Sequence, residues 1–146
     1  MNTKLTIHFA KPEDLEDIRS LLKSTQLPFE DIKTGIGHFL LAKQKDQLVG
    51  CVGLQICGND GLLRSLVVNE NDRSQGLGKV LTQEILEYAL RLKLRNIYLL
   101  TTTAEGFFAK RGFVKVDRTN APDAIRGTTE FSSLCPSTAV FMSKEL

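Results

Sequence analysis

The chain has 146 residues, of which 42% are hydrophobic and 25% are charged, and its formal net charge at pH 7 is +2. This length predicts a single domain, large enough to bury a core without disulfide or metal support. The composition argues against a disordered chain, and the small net charge gives no reason to expect a nucleic-acid partner.

The first half of the chain reads as a strand, a helix, a long loop and three more strands. Alternating apolar residues predict a strand at Leu5–Phe9, and Pro12 with the two acids after it opens a helix that ends near Ser24. Residues 25–37 form a predicted loop and are a candidate substrate or lid segment. The Asn-Asp-Gly sequence that follows the predicted strand at 47–57 is typical of a hairpin. The three later strands are predicted at 38–43, 47–57 and 62–68.

The second half alternates helices and strands. Apolar residues recur with a helical period over residues 75–94, which predicts the longest helix. Further elements are a strand at 96–101, a helix at 104–111 ended by Gly112, a strand at 113–116, a polar insert with a helical stretch at 121–126, and a strand at 138–142. The order predicts one α+β domain over residues 1–146. Its mixed central sheet of about six or seven strands is flanked by helices, and hairpins adjoin one parallel crossover.

Residues 62–81 run from a buried strand through a polar turn into the longest helix. Gly76 and Gly78 let the backbone approach a ligand closely, and the first helical turn directs N–H groups outward at the positive end of the helix dipole. This arrangement suits a pyrophosphate, although the glycines could serve only to begin the helix. The P-loop pattern fails because no Ser or Thr follows Lys79, and the dinucleotide fingerprint fails because Leu81 replaces its third glycine.

The remaining pattern, with Arg73 three residues before Gly76 and Gly78 two residues after it, resembles the acetyl-CoA signature of the GNAT superfamily. The preceding strand end is similar to the family's pantetheine-pairing strand, and residues 107–113 resemble its F-Y-x-x-x-G-F segment. The resemblance implies an acyltransferase with acetyl-CoA as co-substrate and no metal. The residues that it places on acetyl-CoA are Leu66, Val67, Val68, Arg73, Ser74, Gln75, Gly76, Leu77, Gly78, Lys79 and Phe108.

Two residues depart from the family pattern. Phe108 stands where the family often has the tyrosine that protonates the departing thiolate, and Arg64 stands where many members have a glutamate base. Either another group or water protonates the CoA sulfur, or the thiolate leaves unprotonated, because a thiol pKa is only about 8.5. The amine can lose its proton to water. Glu105 is the carboxylate nearest the predicted chemistry and is a candidate for orienting the amine or relaying its proton. Its simplest role is to compensate the dipole of the helix it begins.

Arg64 also indicates which kind of acceptor the domain binds. By strand alternation we expect it on the same face as Leu66, where it would bind an acceptor carboxylate, unless it faces solvent or a structural ion pair. The insert at 121–136, together with the L-L-R-S and L-L-T-T-T-A-E-G-F-F segments, resembles a GNAT branch named for arsenic-resistance operons. This resemblance implies a small amino-acid-like acceptor bound by Arg64 and Arg126, acetylated by direct attack in a ternary complex.

The remaining expectations concern compartment and competing functions. Cys51, Cys57 and Cys135 form no C-x-x-C pair, and no apolar run reaches ~18 residues, so we expect a cytoplasmic protein with reduced thiols and no membrane partner. The sequence leaves open whether the protein forms a homodimer. The alternatives to a small-molecule acetyltransferase are a non-catalytic acyl-CoA-binding sensor, favoured by the missing Tyr and Glu, and a protein N-acetyltransferase.

Overall fold

A computed structural model describes residues 5–27, 29, 32, 38–69, 76–129, 131–132 and 139–146. The described strands form one mixed sheet in the order β1-β2-β3-β4-β5-β7-β6, which confirms the predicted α+β architecture. The strands are β1 (Leu5–Phe9), β2 (His38–Gln44), β3 (Gln47–Cys57), β4 (Asp60–Val68), β5 (Asn96–Thr101), β6 (Val114–Lys115) and β7 (Val140–Glu145). The helices are α1 (Leu15–Ser24), α2 (Leu77–Arg91), α3 (Glu105–Ala109) and α4 (Asp123–Arg126).

The sheet combines an antiparallel half with a single parallel step. β1, β2, β3 and β4 lie side by side in chain order, and each neighbouring pair is antiparallel. The chain then crosses through α2, and β5 pairs with β4 in the parallel direction. β7 lies antiparallel between β5 and β6. The parallel crossover predicted from the sequence is therefore the step from β4 to β5.

Helices cover both faces of the sheet. On one side, which we call the α2 face, α2 and α3 bury Leu81, Ile85 and Phe108 against strand residues such as Leu63 and Leu99. On the other side, which we call the α1 face, α1 packs on one apolar cluster. The insert with α4 packs on a second apolar cluster of the same face, which contains Leu62 and Phe141. The α1 face thus carries two apolar clusters with a strip of sheet between them.

Local backbone geometry explains where α2 and β7 differ from the prediction. α2 begins at Leu77 because Gly76 has a left-handed φ of 71°, and the chain turns away after Arg91, where Lys93 has a φ of 63°. β7 continues to Glu145, beyond the predicted end at 142, because its polar end pairs with the first residues of β5. Side-chain polarity gave no signal for this extension, since backbone hydrogen bonds hold it.

A buried carboxylate stabilises the single 3-10 turn Pro12–Asp14 that leads into α1. The Asp14 carboxylate accepts hydrogen bonds from the Lys11 N–H at 2.8 Å and from the Lys43 ammonium at 3.0 Å. The Lys11 N–H and the Lys43 charge lower the pKa of Asp14 below its usual 3.8, against the opposing effect of burial. Because its folded pKa is lowered, this stabilisation is present above the unfolded pKa and disappears as pH falls through the folded pKa.

We expect Asp14→Asn to lower the free energy of unfolding by about 1 kcal/mol at neutral pH, as for loss of a helix cap. The difference from wild type should shrink as pH falls below 3.8, the usual carboxyl pKa. Chemical denaturation across pH measures both effects. Glu13→Gln, at the exposed neighbouring acid, is the matched control, and an equal loss in both variants would contradict a specific role for Asp14.

Candidate active site

β4 carries one extra residue relative to β3. Gly53 pairs with Arg64 and Cys51 pairs with Val67, so a single β3 residue opposes two residues of β4. Ser65, one of these two, has a left-handed φ of 59°. This is a β-bulge, which bends a strand and increases its local twist.

β4 and β5 separate just before this bulge. Their parallel ladder contains only the pairs Asp60–Asn96, Gly61–Ile97 and Leu62–Tyr98 in the described part of the chain. β4 continues to Val68 along β3, and β5 continues to Thr101 along β7. We call the space beyond the Leu62–Tyr98 pair the β4–β5 gap. A strand that borders such a gap can hydrogen-bond an extended ligand as if it were another strand.

The first turn of α2 is suited to an anion. Gly76 precedes the helix in the left-handed conformation, and among the described residues no side chain caps this end. A Cβ at Gly76 would meet no atom of the described residues within 4 Å. The first turn contains no acid and carries the exposed cation Lys79. Its N–H groups therefore remain available to a negatively charged ligand at the positive end of the helix dipole.

α3 forms a wall beside the start of α2. A Cβ at Gly78 would lie 3.7 Å from both the Phe107 ring and a Val68 methyl group, so the ends of β4, α2 and α3 meet here. The Arg111 guanidinium stacks 3.8 Å from the Phe107 ring centroid, and its Nη1 donates to the Phe107 carbonyl at 2.7 Å. The sequence motif at 107–113 indicated a contact with acetyl-CoA in this region. It assigned that contact to Phe108, whereas Phe107 is the residue that lies beside Gly78.

Phe108 is a core residue. Its side chain is buried, and its ring contacts those of Phe107 and Phe113 at centroid distances of 5.1 and 5.6 Å. Glu105, by contrast, is exposed at the first position of α3, just after β5. Of these two residues, only Glu105 has a solvent-accessible group that can exchange a proton.

Arg64 is buried on the α1 face. It is only 3% exposed, which rules out the solvent-facing alternative, and its Nε donates to the Ser65 hydroxyl at 3.0 Å. Leu62 packs in the cluster under α4 and Leu63 packs on the α2 face, so alternation places Arg64 on the α1 face. Leu66 packs on the α2 face. The expectation that Arg64 and Leu66 share a face is therefore wrong, because the bulge between them inserts one residue.

The other predicted positions divide into those engaged elsewhere and those outside the described residues. Arg126 donates from Nε to the Ala121 carbonyl at 3.1 Å and from Nη2 to the Thr119 carbonyl, so it holds the insert together. Leu77 is buried in the α2-face core, and Val67 packs in the cluster under α1. Arg73, Ser74, Gln75, Cys135 and most of the predicted 25–37 loop lie outside the described residues.

The described thiols are unsuited to nucleophilic chemistry. Cys51 and Cys57 are buried and unbridged. Burial raises the pKa of Cys51 to about 12, and burial together with the charge of Asp60 raises the pKa of Cys57 to about 11. Both are therefore protonated at neutral pH. The described residues bring together no cluster of metal-ligating side chains, and none of their helices has the length and apolar character needed to cross a membrane.

Comparison with known sequences identifies the family. The sequence model of the acetyltransferase (GNAT) domain matches residues 35–115 of this chain. An amino-acid acetyltransferase from Mycobacterium tuberculosis is 30% identical over 88 residues, which cover 58% of this chain and 50% of that protein. An amino-acid acetyltransferase from Pseudomonas fluorescens is 33% identical over 93 residues, which cover 61% of this chain and 22% of that protein. The chain thus spans half or less of the length of these relatives.

Solved structures share the fold over nearly the whole chain. A GNAT acetyltransferase from Staphylococcus aureus superposes with a TM-score of 0.78 at 20% identity, covering 98% of this chain and 99% of that one. N-acetylglutamate synthase from Neisseria gonorrhoeae, solved with coenzyme A and N-acetyl-glutamate, gives a TM-score of 0.80 at 19% identity. That match covers 100% of this chain and 36% of the synthase. This chain belongs to the GNAT acetyltransferase family, as its sequence predicted.

We expect Gly76→Val to abolish acetyl-CoA binding, because a branched side chain would cover the N–H groups of the first α2 turn. The variant also forces valine into a left-handed conformation, which costs about 1–2 kcal/mol. Gly58→Val is a matched control, since Gly58 has a similar φ of 64°, open space around it, and a place in the β3–β4 turn at the other end of β4. Calorimetry on both folded variants should show lost affinity only for Gly76→Val, and equal affinities would contradict the assignment.

Proposed function

We propose that this domain transfers the acetyl group of acetyl-CoA to the primary amine of a small, amino-acid-like acceptor by direct attack in a ternary complex. The observation that carries the proposal is the β4–β5 gap, which opens beside the uncapped first turn of α2. One groove thus offers a strand edge for the amide arm of the cofactor and N–H groups for its pyrophosphate. Family membership supports the same reaction class.

The described residues fit this cofactor. The N–H groups of the first α2 turn and the Lys79 ammonium supply donors and positive charge for the phosphates. Gly78 keeps the junction with Phe107 and Val68 free of a further side chain. Leu66 and Val68 lie on β4 beyond the point where it separates from β5. Arg73, Ser74 and Gln75 remain predictions from the sequence motif.

Acetyl-CoA supplies an electrophilic thioester carbon. Attack by a neutral amine forms the C–N bond, breaks the C–S bond, and leaves the electron pair on sulfur, so the chain has mainly to position the amine and accept its proton. Glu105 is exposed at the start of α3 and can pass that proton to water. Phe108 is buried without a donor group, and in this proposal the thiolate departs unprotonated.

Arg64 supports an acceptor with a negative charge. A guanidinium stays protonated at all physiological pH values, and at 3% exposure its charge lies in a partly dehydrated site. Such a site favours an acidic amino acid and disfavours a polyamine. The relatives named amino-acid acetyltransferase support the same acceptor class. The hydrogen bonds of Arg126 within the insert favour a structural role for it, and the arsenic-resistance branch stays a prediction from sequence.

A panel of amines tests the proposed reaction. The purified chain is incubated with acetyl-CoA and glutamate, aspartate, glutamine or spermidine, and both thiol release and acetylated product are measured. We expect turnover that is fastest with an acidic amino acid. Tight binding of acetyl-CoA without turnover of any amine would instead support the sensor alternative, and fast acetylation of spermidine would contradict the acceptor class.

Arg64→Met should weaken transition-state binding of an acidic acceptor by about 2–5 kcal/mol, if the guanidinium pairs with its carboxylate. The KM of acetyl-CoA should hardly change. Steady-state kinetics with each substrate varied in turn separates the two effects, and thermal unfolding reports any loss of fold. Arg126→Met is the control, expected to lower stability without changing the acceptor KM. An acceptor kcat/KM that does not respond to Arg64→Met would contradict the assignment.

A further inference from the structure

Gln55 on β3 carries a buried oxygen that has no hydrogen-bond partner among the described residues. Gln55 as a whole is only partly buried, but its amide Oε1 is inaccessible to solvent. No donor in the described part of the chain lies within hydrogen-bond distance of this oxygen. Buried polar atoms in native proteins are almost always paired, so this oxygen requires an explanation.

Alternation along β3 places Gln55 on the α1 face. Leu54 packs on the α2 face, whereas Cys57 packs in the cluster under α4. Gln55 pairs with Leu62 across the strands, and Gly53 pairs with Arg64. Gln55 and Arg64 are therefore diagonal neighbours on one face, with Cα atoms roughly 7–8 Å apart. Both lie in the strip between the two apolar clusters.

This location adjoins the proposed reaction site. Leu62, the cross-strand partner of Gln55, also forms the last pair of the β4–β5 ladder. The β4–β5 gap therefore begins one strand away from Gln55, on the far side of β4. An amide oxygen attracts a donor such as an amine N–H, while the neighbouring guanidinium attracts a carboxylate. The two groups are complementary to the two ends of a zwitterionic amino acid.

We propose that Gln55 Oε1 accepts a hydrogen bond from the acceptor's amine while Arg64 binds its carboxylate, which makes the substrate class α-amino acids and not amines in general. The inference rests on the proposed function and adds an amine-binding residue to it. An amide oxygen is a poor base, so Gln55 orients the nitrogen toward the gap and leaves removal of its proton to water or Glu105. The described residues of the free protein leave this oxygen without a partner, so the amine supplies the missing hydrogen bond once the Gln55 amide turns toward the acceptor.

The test is Gln55→Met, which keeps the side-chain length and removes the oxygen. We expect the thermal midpoint of the free protein to stay the same or rise, because an unpaired buried oxygen is lost. We expect kcat/KM for the amino-acid acceptor to fall about 10- to 100-fold, with the KM of acetyl-CoA unchanged. A residue with a purely structural hydrogen bond would give the opposite stability result.

Ile56→Met is the matched control, because Ile56 follows Gln55 on the same strand and is 42% exposed. All its kinetic constants should equal those of wild type. An unchanged acceptor kcat/KM in Gln55→Met, or a lowered thermal midpoint with a matching rise in the KM of acetyl-CoA, would overturn this inference alone. Failure of the wild-type chain to acetylate any amine would overturn the proposed function and this inference together.

Discussion

The pairing of β4 with β3 on both sides of a bulge is the constraint on which the candidate site depends. β4 is held to β3 from Asp60 to Val68, and the extra residue at Ser65 bends it within that span. β5 is held over its full length by β7. Neither strand can move toward the other without losing its own ladder, so the β4–β5 gap is maintained by the backbone pairing that flanks it.

The gap joins two faces with different chemistry. On the α2 face, the end of β4 meets the first turn of α2, whose N–H groups and Lys79 are suited to phosphates. On the α1 face, Arg64 and Gln55 form a polar strip between the clusters under α1 and α4. In the proposed reaction the cofactor and the acceptor would therefore reach the gap from opposite sides of the sheet. Separate access of this kind is consistent with direct transfer, which needs both substrates bound at once.

The sequence predicted features that depend on local signals. Gly112 marked the end of α3, where the Phe113 N–H bonds the Phe108 carbonyl, and the periodic apolar residues marked α2 to within three residues at each end. The position of the extra residue on β4 had no such signal, because serine rarely adopts the left-handed conformation of Ser65. The bulge places Arg64 and Leu66 on opposite faces of the sheet, whereas regular alternation predicted one shared face. Gln55 was also missed, since its importance lies in an unpaired oxygen, which only tertiary structure reveals.

Hydrogen–deuterium exchange with and without acetyl-CoA tests most directly whether the β4–β5 gap and the start of α2 form one cofactor site. A single cofactor site predicts slower exchange on binding in peptides that cover the end of β4 and the first turn of α2. The β3–β4 turn around Gly58, at the opposite end of β4, should exchange at the same rate in both states. Protection confined to other segments, or binding that leaves the end of β4 unprotected, would contradict the account.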